Sequence, residues 1–245
     1  MCIRDSPQPA LAACVRGGWG SARLLEHGPT LPEGWLVGFS DVTSLLWARV
    51  ARGQGGGVHG PLLTTLAEEP NWSRDRLRAL LFGEPVEDLQ GDCWCSGMAE
   101  GPLLVANLTV ATHLIGTPHL PDLGGAILIL EDVGEAPYRI DRMLTHWRLS
   151  GVLQQLAGLG FGSFEGCEET DDPSEPDPLR FPLESVLRER TADLGIPVVS
   201  GLPVGHRRGN AALCLGTSAR LDGERGLLSL DPPPGARRGA RAQGR

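Results

Sequence analysis

Residues 35–51 have the sequence WLVGFSDVTSLLWARVA. The first five residues form a short apolar run that is typical of a buried strand, and residues 42–51 favour a helix. Ser40 and Asp41 lie between these two segments, so the stretch predicts a strand, a tight turn and a helix. Strands that alternate with helices in this way are typical of α/β proteins.

Ser40 is a candidate nucleophile because of its place in this turn. A serine between a buried strand and a helix can expose its hydroxyl, and the amide of Asp41 would point with the helix N-terminus toward developing negative charge. The alternative is an ordinary N-cap that satisfies a free helix amide. The Gly-x-Ser-x-Gly pattern of α/β-hydrolases is incomplete, since Val42 stands at the second glycine position. Both interpretations of Ser40 stay open on these residues.

Glu131 follows an apolar segment, residues 126–130, that predicts a buried strand. Open α/β sheets place ligands beyond the carboxyl ends of such strands. A carboxylate there could orient a histidine and stabilise its charged form. The alternative is a solvent-facing acid, or a partner of Arg139 or Arg142.

His206 follows Gly205 in a loop after the predicted strand at 196–200. Histidine is the side chain best suited to proton transfer near neutral pH. The alternative is a surface histidine in a polar turn. Ser40, Glu131 and His206 therefore form a possible nucleophile, orienting acid and base, which their spacing alone does not establish.

The composition sets limits on the function. The chain has 245 residues, 41% hydrophobic and 21% charged, which is typical of a folded protein. The net charge of −8 argues against a nucleic-acid surface, and the apolar runs are shorter than a membrane helix. Six cysteines predict reduced thiols and no zinc or other metal site. The start of the chain has no apolar signal core, which favours a cytoplasmic protein.

The remaining pattern predicts two domains. We interpret residues 1–10 as a non-native leader, 11–88 as an incomplete N-terminal α/β domain, 89–96 as a linker, 97–230 as a C-terminal domain and 231–245 as a disordered tail. Further helices are predicted at 21–26, 72–82 with Ser73 as N-cap, 107–115 and 138–156. Strands are predicted at 212–216, 219–221 and 227–230, with a flexible break at 53–57 and a mobile acidic loop at 165–178.

Several short motifs in one order, over about residues 11–230, resemble the serine LD-carboxypeptidase family. That family includes the murein tetrapeptide carboxypeptidases and the microcin C self-immunity peptidases. The motifs include Arg16-Gly17-Gly18-Trp19-Gly20, Gly38-Phe39-Ser40-Asp41, His59-Gly60-Pro61, Leu130-Glu131-Asp132, Tyr138-Arg139-Ile140-Asp141-Arg142 and Gly205-His206.

The resemblance implies a flavodoxin-like N-terminal domain with a nucleophile elbow and a mixed α+β C-terminal domain, with the active site between them. Family members carry a longer portion before the first motif, so the N-terminal domain is expected to be truncated here. By resemblance, Ser40 is the nucleophile, Glu131 orients the histidine, and His206 is the general base and then the acid. The backbone amides of Asp41 and Gly18 would form the oxyanion hole.

The resemblance also implies the reaction. Such an enzyme releases the terminal D-alanine of murein tetrapeptides during cell-wall recycling in the cytoplasm, without a metal or other cofactor, and commonly as a homodimer. The expected partner is a muropeptide substrate, with neither nucleic acid nor membrane. Two alternatives stay open: a microcin-immunity-type peptidase acting on aminoacyl-nucleotide antibiotics, and a non-catalytic protein that binds muropeptides.

Overall fold

The computed structural model describes residues 10–168 and 181–231. Residues 1–9 of the predicted leader, residues 169–178 of the predicted acidic loop and residues 232–245 of the predicted tail lie outside the described ranges. The strands are β1 Leu11–Ala13, β2 Trp35–Gly38, β3 Gly57–His59, β4 Leu89–Gln90, β5 Asp92–Cys95, β6 Met98–Asn107, β7 Ile127–Val133, β8 Gly158–Glu165, β9 Val198–Ser200, β10 Leu213–Cys214, β11 Ser218–Asp222 and β12 Leu227–Leu230. The helices are α1 Ser21–Leu25, α2 Thr43–Ala51, α3 Asn71–Leu81, α4 Leu108–Thr112, α5 Pro137–Leu149 and α6 Leu183–Thr191.

The smaller sheet carries the strand that precedes Ser40. Its strand order is β1-β2-β3-β10, in which the first three strands are parallel and β10 is antiparallel to β3. Parallel strands need crossover connections, which here contain α1 and α2. Because β10 comes from near the end of the described chain, distant parts of the sequence meet in this sheet.

The larger sheet carries Glu131. Its order is β4-β12-β11-β6-β7-β8-β9-β5, with a parallel centre of β6, β7, β8 and β9 and antiparallel strands at both sides. The segment Ile127 to Leu130 is fully buried, as expected for a central parallel strand that is covered on both faces. The chain is therefore a mixed α/β structure, and the predicted fold class is confirmed.

Helix α2 connects the two sheets and so fixes where Ser40 lies. Trp47 is fully buried, its Nε1 donates to the Val105 carbonyl of β6 at 2.9 Å, and its ring meets Trp147 of α5 edge-on at 6.2 Å. The Asn107 amide donates to Thr43 Oγ1 at 3.1 Å, and Asn107 is paired with Glu131 in the register of β6 and β7. These contacts bring the start of α2 close to the end of β7.

Several element predictions need correction. Helix α5 ends at Leu149 and not at residue 156, because Gly151 has φ +75° and a short 3₁₀ turn follows at Leu153–Gln155. Strand β7 continues to Val133, so Glu131 lies within the strand and not beyond it. Ser73 is not the N-cap of α3. The cap is Pro70, and the Ser73 hydroxyl donates to the Asn210 carbonyl at 2.8 Å.

Other elements were not predicted. Strand β3 begins at Gly57, where the glycine-rich sequence had suggested only a flexible break. Strand β8 contains three glycines, which lower strand propensity. The space above Gly160 is filled by Ile129 and Leu202 side chains, so packing between strands decides this structure. The domain division at 89–96 stays a prediction, and β4 and β5 lie within that stretch.

Within the described ranges, no helix is both long and apolar enough to cross a membrane.

Candidate active site

The backbone at Ser40 has the form of a strained elbow. Strand β2 ends at Gly38, a 3₁₀ turn covers Ser40–Val42, and α2 follows directly. Ser40 has φ +63°, the only positive φ of a non-glycine residue in the part of the chain that the structure describes. Such a conformation costs about 1–3 kcal/mol and often occurs at functional sites. It points to the exposed-hydroxyl interpretation of Ser40, and the N-cap residues of the 3₁₀ turn and of α2 are Phe39 and Val42.

The elbow leaves almost no room beside the serine. A Cβ on Gly17 would lie 3.1 Å from Ser40 Cβ and 3.2 Å from its Oγ. A Cβ on Gly38 would lie 2.9 Å from a Val42 methyl group. Two of the glycines in the sequence motifs therefore allow the turn after β1 and the elbow to approach each other.

We expect Gly17→Ala to lower kcat/KM by about tenfold, because the added methyl group would displace the Ser40 side chain by a few tenths of an ångström. The matched control is Gly55→Ala, since nothing lies within 4 Å of a Cβ at Gly55. Steady-state kinetics of both variants checks this prediction, with circular dichroism to monitor folding. Equal rates for the two variants would contradict it.

The structure brings Ser40, Glu131 and His206 into one hydrogen-bonded series. His206 Nε2 lies 3.1 Å from Ser40 Oγ, and His206 Nδ1 lies 2.7 Å from Glu131 Oε2. The Glu131 side chain is fully buried, whereas the His206 side chain is 19% exposed. The three residues thus have the geometry that a nucleophile, a base within reach of its proton and an orienting carboxylate would need.

Burial and His206 have opposite effects on the pKa of Glu131. Burial raises its pKa, while the hydrogen bond from His206 opposes that rise. Its Oε1 atom has no hydrogen bond of good geometry, although the nearby Asn107 amide also lowers the pKa. The alternative pairing with an arginine is not formed, since Arg139 pairs with Glu135 at 3.3 Å and Arg142 lies over the Tyr138 ring.

The neighbouring acid, Asp132, has a structural role. Its carboxylate accepts hydrogen bonds from Asn107 Nδ2 at 3.0 Å and from the Thr109 amide and hydroxyl at 2.9 and 2.8 Å. These bonds fix the start of α4 against β7. The Glu-Asp pair of the sequence motif therefore divides into one acid that faces His206 and one that holds the strand end.

Close packing at Gly205 and two hydrogen bonds fix the loop that carries His206. Gly205 has φ +122°, and a Cβ there would lie 2.4 Å from Ser163 Oγ and 2.9 Å from Glu131 Oε2. Its amide donates to Asn210 Oδ1 at 3.0 Å, and the Asn210 amide donates to Glu69 Oε2 at 3.2 Å. Only glycine fits at this close approach, which explains the Gly-His pair in the sequence.

Sequence reasoning did not find His59, which lies buried behind the site. The Phe39 ring stands between the two histidines, with centroids 5.6 Å from His59 and 4.8 Å from His206. The pKa of His59 is lowered to about 3, mainly by burial; the Asn210 side chain opposes this shift and the nearby His206 adds to it. His59 is therefore neutral in the folded protein. The sequence analysis included His59 in the His59-Gly60-Pro61 motif but assigned no role to it.

We expect His59 to make the protein sensitive to acid. The unfolded chain takes up a proton on this histidine near pH 6.5, whereas the folded chain resists it down to about pH 3. The free energy of unfolding should fall by up to about 1.4 kcal/mol per pH unit as the pH drops through this interval. In His59→Gln this contribution is absent, so its stability should change less between pH 7 and pH 5.

Urea unfolding at several pH values measures this difference. His146→Gln is the matched control, because His146 is exposed on α5. The control should keep the wild-type pH dependence. If wild type and His59→Gln lose stability in parallel on acidification, the explanation is wrong.

Asp41 connects the elbow to the first residue of α1. Its Oδ2 accepts from the Ser21 amide at 2.9 Å, and its carbonyl accepts from the hydroxyls of Ser21 and Ser44. The Asp41 amide lies in the first turn after the strand, where helical N–H groups have no intrahelical acceptor. Gly18, with φ +124°, lines the cleft in front of Ser40. The two predicted oxyanion donors thus lie near the serine, and their role stays a proposal.

Ser40 and His206 open into a cleft of about 460 Å³. The other lining residues are Arg16, Gly17, Gly18, Phe39, Leu62, Thr64 and Thr65. Among the described residues, no three His, Cys, Asp or Glu side chains lie together as a metal site would require. The arrangement can carry out acyl transfer by a serine nucleophile.

Comparison of this chain with known proteins identifies a family that it matches. Residues 100–221 match the LD-carboxypeptidase C-terminal domain. The chain is 50% identical over 230 residues to a protein of Synechocystis sp. that carries the name carboxypeptidase, covering 91% of this chain and 73% of that protein. It is 33% identical over 246 residues to the murein tetrapeptide carboxypeptidase of Pseudomonas aeruginosa, covering 90% and 75%. Muramoyltetrapeptide carboxypeptidase from Oxalobacter formigenes has a similar structure, with a TM-score of 0.76, 28% identity and coverage of 92% and 79%.

Proposed function

Because this chain belongs to the LD-carboxypeptidase family, whose members are serine-type carboxypeptidases, we propose that it releases the terminal D-alanine of murein tetrapeptides. The observation that carries the proposal is the hydrogen-bonded series from Ser40 through His206 to buried Glu131. The murein substrate is proposed from the names of relatives such as the Pseudomonas aeruginosa enzyme.

The proposed reaction begins when His206 Nε2 accepts the Ser40 proton and the serine oxygen attacks the carbonyl before D-alanine. The resulting oxyanion is held by the backbone amides of Asp41 and Gly18, and one such donor contributes typically about 10²–10³-fold in rate. His206 then passes its proton to the departing amine of D-alanine. The tripeptide remains as an ester on Ser40.

Water completes the proposed cycle. His206 accepts a proton from the water molecule that attacks the ester, and returns it to the Ser40 oxygen as the tripeptide leaves. During both halves the imidazole becomes positively charged for a moment. Glu131 lies 2.7 Å from His206 Nδ1 in a fully buried position, so it stabilises this charge strongly and fixes the tautomer that the reaction needs.

The test compares three outcomes on one preparation of the protein. Purified murein tetrapeptide and an aminoacyl sulfamoyl adenosine are supplied separately, and kcat/KM is measured for each. We expect turnover of the tetrapeptide at the higher kcat/KM. Preferred cleavage of the nucleotide would favour a microcin-immunity-type peptidase. Tight tetrapeptide binding by calorimetry without any cleavage would favour a non-catalytic binding protein.

We further propose that the reaction serves wall recycling in the cytoplasm and that the protein is a homodimer. Light scattering after size-exclusion chromatography tests the second point. A molar mass twice that of the chain is expected. A mass equal to one chain at micromolar concentration would contradict the homodimer.

A further inference from the structure

An enzyme that removes only the last residue of a peptide must recognise the end of the chain. The feature that marks this end is the free carboxylate of the terminal residue. Its carboxyl carbon is three bonds from the scissile carbonyl carbon, which places it within about 4 Å of the attacked atom. A group that binds this carboxylate must therefore lie in the same cleft as Ser40.

Arg16 is the arginine that lines this cleft. It directly precedes Gly17, whose α-carbon packs against Ser40, and its guanidinium lies 4.0 Å from the position of a Cβ on Gly18. The side chain is exposed, and no hydrogen-bond or ion-pair partner is found for it among the described residues. A guanidinium can bind a carboxylate with two parallel hydrogen bonds.

The other polar groups near the cleft are already engaged. The hydroxyls of Thr64 and Thr65 donate to the carbonyls of Val15 and Leu62. Arg207, beside the catalytic histidine, pairs with Glu165 at 3.3 Å. No acidic side chain is among the described residues that line the cleft, so an incoming carboxylate would meet no like charge there.

We propose that Arg16 is a specificity-determining residue that binds the terminal carboxylate of the substrate. This inference rests on the proposed carboxypeptidase function. It names Arg16 as the group that restricts cleavage to the last residue of a peptide. Arg16 takes no part in proton transfer. It places the terminal residue so that the preceding carbonyl lies against Ser40.

The experiment compares murein tetrapeptide as the free acid with the same peptide as its C-terminal amide. Wild type should prefer the acid by about 10²-fold in kcat/KM, because the charge-assisted hydrogen bonds between Arg16 and the carboxylate are lost with the amide. In Arg16→Gln, kcat/KM for the acid should fall by about 10²-fold while the amide is cleaved at the wild-type rate, so that the preference disappears. Arg16→Lys should keep part of the preference, since a point charge replaces the two-pronged donor.

The matched control is Arg23→Gln, which removes the same charge from an exposed position on α1 outside the cleft. It should behave as wild type on both peptides. If Arg16→Gln keeps the preference for the acid, or loses activity on acid and amide alike, the proposal for Arg16 is overturned while the carboxypeptidase function stands. If folded wild type releases neither D-alanine from the acid nor D-alanine amide from the amide, the proposed function fails, and the role of Arg16 fails with it.

Discussion

Replacing Ser40 with alanine is expected to lower kcat/KM for D-alanine release by about 10⁴-fold or more. Loss of the nucleophile in a serine triad removes the covalent route entirely, and only binding and oxyanion stabilisation remain. The positive φ of Ser40 is a cost for any residue with a Cβ, so alanine introduces no new strain. Stability should therefore change little, and the loss should appear in the rate alone.

Ser150→Ala is the control for this variant. Ser150 follows helix α5, and its hydroxyl donates to the Trp147 carbonyl at 3.1 Å, away from the cleft. Its activity should equal that of wild type. D-alanine release by Ser40→Ala within tenfold of wild type would remove Ser40 from the mechanism.

Glu131→Gln is expected to lower kcat/KM by about 10⁴-fold, the size of effect seen when the orienting acid of a serine triad becomes an amide. Glutamine cannot stabilise the imidazolium form of His206, and its amide group can favour the wrong tautomer. The side chain is fully buried, so water cannot replace the lost charge.

Although Glu131→Gln should lower kcat/KM, it should not lower the stability of the folded protein. Burial raises the pKa of Glu131, which means that its ionised form is less favourable in the folded chain than in the unfolded chain. The stability that this carboxyl contributes is present below its unfolded pKa and is lost as the pH rises through its folded pKa. At pH 7 a neutral glutamine should leave the melting temperature unchanged or higher.

Thermal unfolding and steady-state kinetics together check this second variant. Glu135→Gln removes the same charge from the acid that pairs with Arg139 four residues along, and it should keep wild-type activity. A Glu131→Gln protein that keeps more than a tenth of the wild-type rate would contradict the role of Glu131. A large fall in its melting temperature would contradict the effect of burial on its charge.

Local sequence predicted the elbow better than it predicted the site as a whole. The strand, turn and helix around Ser40 depend on neighbouring residues, so periodicity was sufficient to find them. Ser40 and His206 are separated by 166 positions in the chain. Only the tertiary fold brings them to 3.1 Å, and their grouping came from the resemblance of ordered motifs rather than from spacing.

The parts that the sequence did not predict depend on packing between distant segments. Strand β8 is rich in glycine because side chains of neighbouring elements fill the space above it, which no local pattern reveals. His59 ends strand β3, whereas Asn210 lies in the loop before β10, and the two residues approach each other only behind the site. Glu69 reaches the same loop from a segment 141 positions away. Their residue types alone gave no reason to place them together.

We propose that this chain cleaves the bond before a terminal D-alanine by means of Ser40. The most direct measurement is chiral analysis of the products after wild type acts on purified murein tetrapeptide. We expect D-alanine and the tripeptide in equal amounts from wild type, and neither product from the Ser40→Ala protein. Release of a different fragment, or no D-alanine from wild type shown to be folded, would contradict it.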